Sequence, residues 1–258
     1  MDQTAGFIGR KTINSVNRIL DLFAFTYRIG RLILQRPKEG RSLIRRITLE
    51  QIYFTAVQAL PIIIPVALII GSMLIVQFAK ISNQYDLGKT MVLLIVRELG
   101  PGITALLVIL RSATSVTIEI GYMNVFHEID TIEMTGIDPV RIICLPRLIG
   151  ITTAVLCLFI IFDLIAIVGG YAVVWGTTHI PMGNLLTQIG KAITPADIVV
   201  GIVKAICFGI IITVTSLYNG FNTKKHITKL PSITSGAAIE CFFYCLIINV
   251  IISAVFYM

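Results

Sequence analysis

The chain has 258 residues, of which 56% are hydrophobic and only 14% are charged. A soluble domain carries about 25% charged residues, so this composition excludes a soluble globular protein and indicates an all-α protein that crosses a membrane several times. The net charge of +7 does not indicate nucleic-acid binding. Ten of the twenty-one Lys and Arg residues lie before residue 51, a bias that favours contact with an anionic membrane surface.

Residues 1–51 form a basic, amphipathic N-terminal region. Apolar side chains recur at helical spacing and alternate with arginines and a lysine; they are Ile13, Val16, Ile19, Leu20 and Phe23. A helix of this kind lies in the membrane interface, and its pattern is not that of a signal peptide. Pro37 to Gly40 ends it, and a short basic piece leads from Arg41 to the first span.

A permease domain of five membrane spans is predicted over residues 52–258. The spans cover about 52–79, 88–114, 145–175, 197–220 and 233–257. Pro61 and Pro65 predict a kinked or broken first span, and Gly100-Pro101-Gly102 is expected to interrupt the second.

The distribution of basic residues predicts the topology. With the N-terminus in the cytoplasm, the cytoplasmic segments carry 15 Lys and Arg and the opposite segments carry 3. Because short cytoplasmic loops are enriched in basic residues, we expect a cytoplasmic N-terminus and a C-terminus on the other side.

One long polar stretch, Glu119 to Arg147, interrupts the apolar second half of the chain. Its acids are interleaved with apolar residues, and the spacing predicts an amphipathic helix from about Met123 to Thr135, ended by Gly136 and a turn at Asp138-Pro139. The acids are Glu119, Glu128, Asp130, Glu133 and Asp138. Docking onto another protein and a merely solvated loop helix are both compatible with this pattern.

Charged residues also occur inside the predicted spans. Arg97 and Glu98 are adjacent in the second span, where a charge costs about 3 kcal/mol or more and normally faces a cavity, a partner or another protomer. A cavity is favoured over a mutual pair, because neighbouring residues point in different directions on a helix. The sequence assigns no partner to Asp163, Lys204 or Glu240.

Two common signals carry no function in this chain. The five cysteines have no metal-site spacing and fall mostly within spans, so neither a disulfide nor a metal site is expected. Leu87 to Thr90 reads like the end of a phosphate-binding loop, but Asn83 replaces the leading glycine, so no ATP site is expected here.

Several motifs resemble the MlaE-type ABC transporter permeases. They are Val96-Arg-Glu-Leu-Gly-Pro101, Arg111 through Gly121, Glu128 through Asp138-Pro139, Gly169-Gly170 and Ser216-Leu-Tyr-Asn-Gly220. The resemblance implies a homodimeric, non-catalytic permease in a bacterial inner membrane, with the C-terminus in the periplasm. ATP would be used by a separate cytoplasmic ATPase, and no cofactor is expected in this chain.

The same resemblance implies the remaining partners and the site residues. The partners would be a periplasmic MCE-domain ring and a small STAS-domain protein, and the substrate a phospholipid, in support of outer-membrane lipid asymmetry. The implied lipid cavity is lined by Gly71, Met73, Leu74, Gln77, Phe78, Arg97 and Glu98. The implied contacts to the ATPase are Glu119, Glu128, Asp130, Glu133, Asp138 and Pro139.

Three alternatives remain open at this point. An MCE system could take up another lipid, such as a sterol. A secondary transporter of a hydrophobic or amphipathic solute could use the Arg97-Glu98 couple, although the two halves show no inverted repeat. A membrane-embedded lipid enzyme would need a catalytic constellation, which the acids from Asp130 to Asp138 do not supply.

Overall fold

The computed structural model of the chain describes residues 17–18, 20–31, 41–81, 93–178, 195–223 and 227–257. Within those ranges every regular element is a helix. Five helical stretches are long and apolar enough to cross a membrane: Ser42–Gln77, Ile95–Val125, Val140–Val173, Pro195–Phe221 and Ile227–Phe256. The prediction of an all-α membrane protein with five spans is therefore confirmed.

The helix at residues 17–31 (α1) packs on the protein through one face only. Phe25 makes edge contacts with the rings of Tyr218 and Phe221, at centroid distances of 6.2 and 6.1 Å. Phe23 and Tyr27 are exposed on the other side. This two-sided character suits the predicted interfacial position, whereas residues 1–16 and Ile19 lie outside the described residues.

The first span is broken ahead of its two prolines. Helix α2, Arg41–Thr55, ends in a short 3-10 turn, and helix α3, Leu60–Ile81, follows with Pro61 in its first turn and Pro65 inside it. Arg111 donates to the Phe54 carbonyl at 3.0 Å, which satisfies one acceptor at the end of α2. Helix α2 begins well before the predicted span start at residue 52, because it packs against Gly150 of the third span.

The second span does not break at Gly100-Pro101-Gly102, so that prediction was wrong. Helix α4, Ile95–Val125, runs through these residues, and a π-helical turn at Ile95–Leu99 directly precedes Pro101. A proline in a regular α-helix would collide with the carbonyl four residues earlier, and the wider turn relieves that collision. The helix also continues past the predicted end at 114, because Thr117 and Ile120 are buried in the protein.

The short helix of the polar stretch begins later than predicted. Helix α4 ends at Val125, His127 has a left-handed backbone with φ of 60°, and helix α5 covers only Glu128–Met134. The predicted start at Met123 was wrong because this reversal separates the two helices. Gly136, with φ of +80°, follows the end of α5, as its residue type indicated.

The last three spans complete a bundle whose centre is the fourth span. Helix α6 covers Val140–Val173, α7 covers Pro195–Phe221, and α8 covers Leu230–Tyr257. Helix α7 packs against α4, α6 and α8, whereas α3 packs mainly against α6. Because α7 touches three other spans, charged residues on its surface can meet charges from each of them.

Candidate functional site

A buried lysine joins three spans near one end of the bundle. Lys204 on α7 is 0% exposed, and its Nζ donates to Glu98 Oε1 at 2.9 Å and to Ser253 Oγ at 2.7 Å. Glu98 also accepts a hydrogen bond from Asn249 Nδ2 at 2.8 Å and another from the Ser253 hydroxyl at 2.6 Å. The Glu98 carboxylate therefore links α4, α7 and α8 through charge-assisted hydrogen bonds.

Arg97 has a different partner from its neighbour. Its Nε and one Nη contact Asp197 Oδ1 at 2.7 and 2.6 Å. The Asp197 side chain is 1% exposed, whereas that of Arg97 is 29% exposed. Arg97 and Glu98 thus do not balance each other: each forms an ion pair with α7, and the arginine is the more accessible member of its pair.

The proline in α4 explains part of this arrangement. In a regular α-helix the Arg97 carbonyl would accept from the N–H of residue 101, which is a proline and has none. Lys204 Nζ donates to that carbonyl at 2.7 Å. The same ammonium group therefore serves a backbone acceptor at the helix distortion and the carboxylate beside it. Together, Arg97, Glu98, Asp197, Lys204, Asn249 and Ser253 form a unit that we call the polar cluster.

The polar stretch between α4 and α6 presents an exposed acidic surface. Glu128, Asp130 and Glu133 are exposed on α5, and Met134 beside them is 87% exposed. Among these acids, only Asp130 has a side-chain partner in the described part of the chain, the ring of His127 at 2.6 Å. Three acids and a large apolar side chain are thus available on one short helix.

The other predicted coupling residues hold this loop in place. Glu119 pairs with Arg147 at 2.6 Å, which ties α4 to the start of α6. Asp138 accepts from the Val140 backbone N–H at 3.0 Å and lies 3.5 Å from Arg28 of α1, and Pro139 is buried. The structure therefore divides the six predicted residues into three exposed acids on α5 and three residues outside α5 that shape the loop.

Comparison with known proteins identifies the family. The family model described as Permease MlaE matches residues 48–255. The chain belongs to the MlaE permease family. A probable ABC transporter permease protein of Rickettsia conorii is 29% identical over 257 residues, covering 98% of this chain and 97% of that protein.

Two further relatives of this MlaE-family permease have more specific names. The intermembrane phospholipid transport system permease protein MlaE of Haemophilus influenzae is 27% identical over 248 residues, covering 93% of this chain and 95% of that protein. The chloroplastic protein TRIGALACTOSYLDIACYLGLYCEROL 1 of Arabidopsis thaliana is 24% identical over 216 residues, covering 82% and 62% respectively.

None of the first-span residues assigned to the cavity of this MlaE-family permease belongs to the polar cluster. Gly71 is buried at the crossing of α3 and α6, where Gly170 lies directly opposite. Met73 and Gln77 are exposed and Leu74 is half-buried, while the Phe78 side chain lies outside the described residues. Gly71 therefore serves the contact between α3 and α6, whereas Met73 and Gln77 expose their side chains on the surface of the chain.

The MlaE-family chain also contains site residues that sequence reasoning missed. Asp197, Asn249 and Ser253 were not assigned to the site, although Asn249 and Ser253 are four residues apart in an apolar helix and so share one face. Asp197 and Lys204 are seven apart, which again places them on one face of α7. Polar residues at helical spacing within an apolar span would have identified both pairs.

The two remaining intramembrane acids have contrasting surroundings. Glu240 pairs with Arg18 of α1 at 2.8 Å and accepts from Asn219 at 3.1 Å. Asp163 is buried against Gly100, and within the described residues its Oδ1 has no hydrogen-bond partner. The polar cluster therefore does not include these acids.

Proposed function

We propose that this chain is the membrane-spanning subunit of an ABC transporter that moves phospholipids between a bacterial inner membrane and a periplasmic MCE-domain ring. The observation that carries the proposal is the similarity, over nearly the whole chain, to the Haemophilus influenzae permease of an intermembrane phospholipid transport system. A permease of this family is a transport subunit, so ATP hydrolysis is assigned to a separate ATPase.

The polar cluster supplies the chemistry that a phospholipid headgroup needs. A phosphate prefers a guanidinium, which can present several N–H donors in one plane. Arg97 is the accessible member of its pair, while Asp197 behind it is fully buried and fixes its orientation. We assign phosphate binding to Arg97, and we assign to the Glu98–Lys204 pair the role of holding α4 against α7 and α8.

The acyl chains need an apolar surface next to that cation. Exposed residues of the first span, including Ile69 and Met73, provide such a surface, and the fifth span is the least buried of the five. In the proposed homodimer these faces of two copies would enclose the lipid. The Gly71–Gly170 contact would then set the angle at which the first span presents its apolar side chains.

The ATPase is proposed to dock on α5. The exposed acids Glu128, Asp130 and Glu133 can pair with basic residues, and Met134 can enter a small apolar depression. The loop is held to the spans by the Glu119–Arg147 pair, so a displacement of α5 would be transmitted to α4 and α6. The proposed complex also includes a small STAS-domain protein, and its cytoplasmic side is the side of α5.

The headgroup assignment is tested by removing the Arg97–Asp197 pair as a unit. Because the double variant Arg97→Gln/Asp197→Asn removes both members of the described ion pair together, we expect it to fold like the parent. Loss of a charge-assisted contact costs about 1.5–3 kcal/mol, so the share of retained phospholipid that is bound at Arg97 should fall by tenfold or more. The retained lipid is measured by mass spectrometry after extraction.

The matched control is Arg46→Gln/Glu50→Gln, which removes an exposed ion pair on α2. It should retain phospholipid at the parental level. Parental retention in the Arg97–Asp197 double variant would contradict the headgroup assignment, whereas bound sterol in place of phospholipid would contradict the substrate class.

A further inference from the structure

An apolar cavity lies between the N-terminal helix and the last two spans, outside the polar cluster. Its volume is about 300 Å³, within the range of sites that hold small ligands. Its lining consists of apolar side chains and a few hydroxyl-bearing ones: Leu22, Phe23, Thr26, Ile210, Ile211, Val214, Thr215, Tyr244, Ile247 and Ile248. The three contributing helices are α1, α7 and α8.

A second cavity, of about 290 Å³, is polar and is bordered by the same three helices. Its charged members are Arg18 and Glu240, whose side chains pair at 2.8 Å. Asn219 bridges them, since it accepts from Arg18 at 2.6 Å and donates to Glu240 at 3.1 Å. This cavity therefore offers one cation and one anion next to each other.

The two cavities follow one another along all three helices. Arg18 and Leu22 on α1 are four residues apart, as are Thr215 and Asn219 on α7 and Glu240 and Tyr244 on α8. Four residues correspond to about one helical turn, so each helix contributes a residue to the polar cavity and, one turn away, a residue to the apolar cavity. The combined shape is that of an amphiphile with a polar end and an apolar end.

We propose that these two cavities form a binding site for one phospholipid with a zwitterionic, ethanolamine-type headgroup, taken from the leaflet on the side of α5. The phosphate binds Arg18, the ammonium group binds Glu240, and part of one acyl chain fills the cavity beneath Leu22 and Tyr244. A zwitterionic headgroup matches this site because it exchanges the internal ion pair for two new pairs and leaves neither charge uncompensated.

The position of the site supports a membrane lipid as the occupant. Helix α1 exposes Phe23 and Tyr27, which are typical of a helix lying at the membrane surface, so the Arg18 end lies at headgroup level. Asn219 is fifteen residues from Lys204 on the same helix, or roughly 22 Å at 1.5 Å per residue. The headgroup end of the site is therefore separate from the polar cluster, and its occupancy does not depend on the transport proposal.

The test uses the full-length protein in lipid nanodiscs that contain a photoactivatable phosphatidylethanolamine with a diazirine on its acyl chain. Peptide mapping of the irradiated parent should locate the label on residues of the apolar cavity, such as Phe23 and Ile247. Unlabelled phosphatidylethanolamine should compete for this labelling, and phosphatidylglycerol, which has no amine, should compete at least tenfold less well.

Two variants test the apolar cavity and the headgroup preference separately, and a third serves as the control. Ile211→Trp fills the apolar cavity and should lower the labelling about tenfold or more, because the added ring occupies the acyl-chain volume. Glu240→Gln removes the partner of the ammonium group and should abolish the preference for ethanolamine over glycerol headgroups. The control, Val168→Trp, changes an exposed position on α6 and should leave both properties unchanged.

Three results would overturn the proposal. Labelling spread evenly over the exposed faces would indicate ordinary surrounding lipid. Equal competition by both headgroups in the parent would show that the charges do not select the ligand. A diazirine placed at residue 247 that crosslinked efficiently to a second copy of the chain would show that another protomer, and not a lipid, covers the cavity.

Discussion

Replacement of Lys204 by Met tests whether the buried ion pair holds the second, fourth and fifth spans together. Met keeps most of the length of the side chain but donates no hydrogen bond. The substitution therefore removes the described contacts to Glu98, to the Arg97 carbonyl and to Ser253. Within the described residues, the carboxylate of Glu98 would then retain only its contacts with Asn249 and Ser253.

The loss in free energy of unfolding that we expect for Lys204→Met depends on how deeply Lys204 and Glu98 are buried. Removal of one member of a buried ion pair costs about 3–5 kcal/mol. Lys204 is fully buried, but the Glu98 side chain is 37% exposed, so lipid headgroups or water can solvate part of the carboxylate. We therefore expect a loss of about 3 kcal/mol, the lower end of that range.

The assay is unfolding of the purified protein in mixed micelles with increasing SDS, followed by circular dichroism. Addition of Glu98→Gln to Lys204→Met removes the unpaired charge and should recover at least half of the lost free energy of unfolding. The control Arg46→Met removes an exposed pair four residues apart, which is worth about 0.3–0.5 kcal/mol. A Lys204→Met protein that unfolds like this control would refute the structural role of the pair.

Three further predictions follow from other parts of the molecule. Gly71→Ala should destabilise the protein by about 1–3 kcal/mol, because its Cβ would collide with the Ala166 carbonyl of the third span. Gly102→Ala is the control, since its Cβ would meet open space, and equal unfolding curves for the two variants would contradict the packing. The topology is tested with single cysteines introduced at Lys229 and at Asn184 and an impermeant thiol reagent added outside cells. The cysteine at Lys229 should be shielded and the one at Asn184 should react. Reaction at both positions would show that the five-span orientation is wrong. The double charge reversal Glu128→Lys/Glu133→Lys should prevent the ATPase from copurifying with the permease, whereas the control Glu50→Lys on α2 should not. Undiminished copurification with the double variant would exclude the acidic face of α5 as the docking surface.

Features of the fold could be predicted only where one continuous segment of the sequence determines them. The five spans were predictable because each is a long apolar run, and the break before Pro61 was predictable because proline disturbs any helix. Continuity of α4 through Pro101 was not predictable in the same way. It depends on a π-helical turn and on Lys204, which reaches the Arg97 carbonyl from a helix more than a hundred residues later.

The candidate site shows the same limit. The intramembrane position of Arg97 and Glu98 marked them as unusual, because isolated charges there are costly. Their partners could not be assigned, since adjacent residues on α4 pair with Asp197 and Lys204 of α7, and the fifth span adds Asn249 and Ser253. The left-handed backbone at His127 was likewise not predicted, because residues other than glycine, histidine included, adopt that conformation only uncommonly.

Movement of phospholipid by this chain in response to ATP hydrolysis by a partner can be followed in proteoliposomes. The permease is reconstituted with its copurifying ATPase and a fluorescent phospholipid, and transfer of the fluorophore to soluble MCE-domain protein is measured with and without ATP. We expect transfer that requires ATP, that stops when the ATPase carries an inactivating substitution, and that falls at least tenfold in Arg97→Gln/Asp197→Asn. Transfer at the same rate without ATP, or no transfer by a complex that hydrolyses ATP normally, would contradict this expectation.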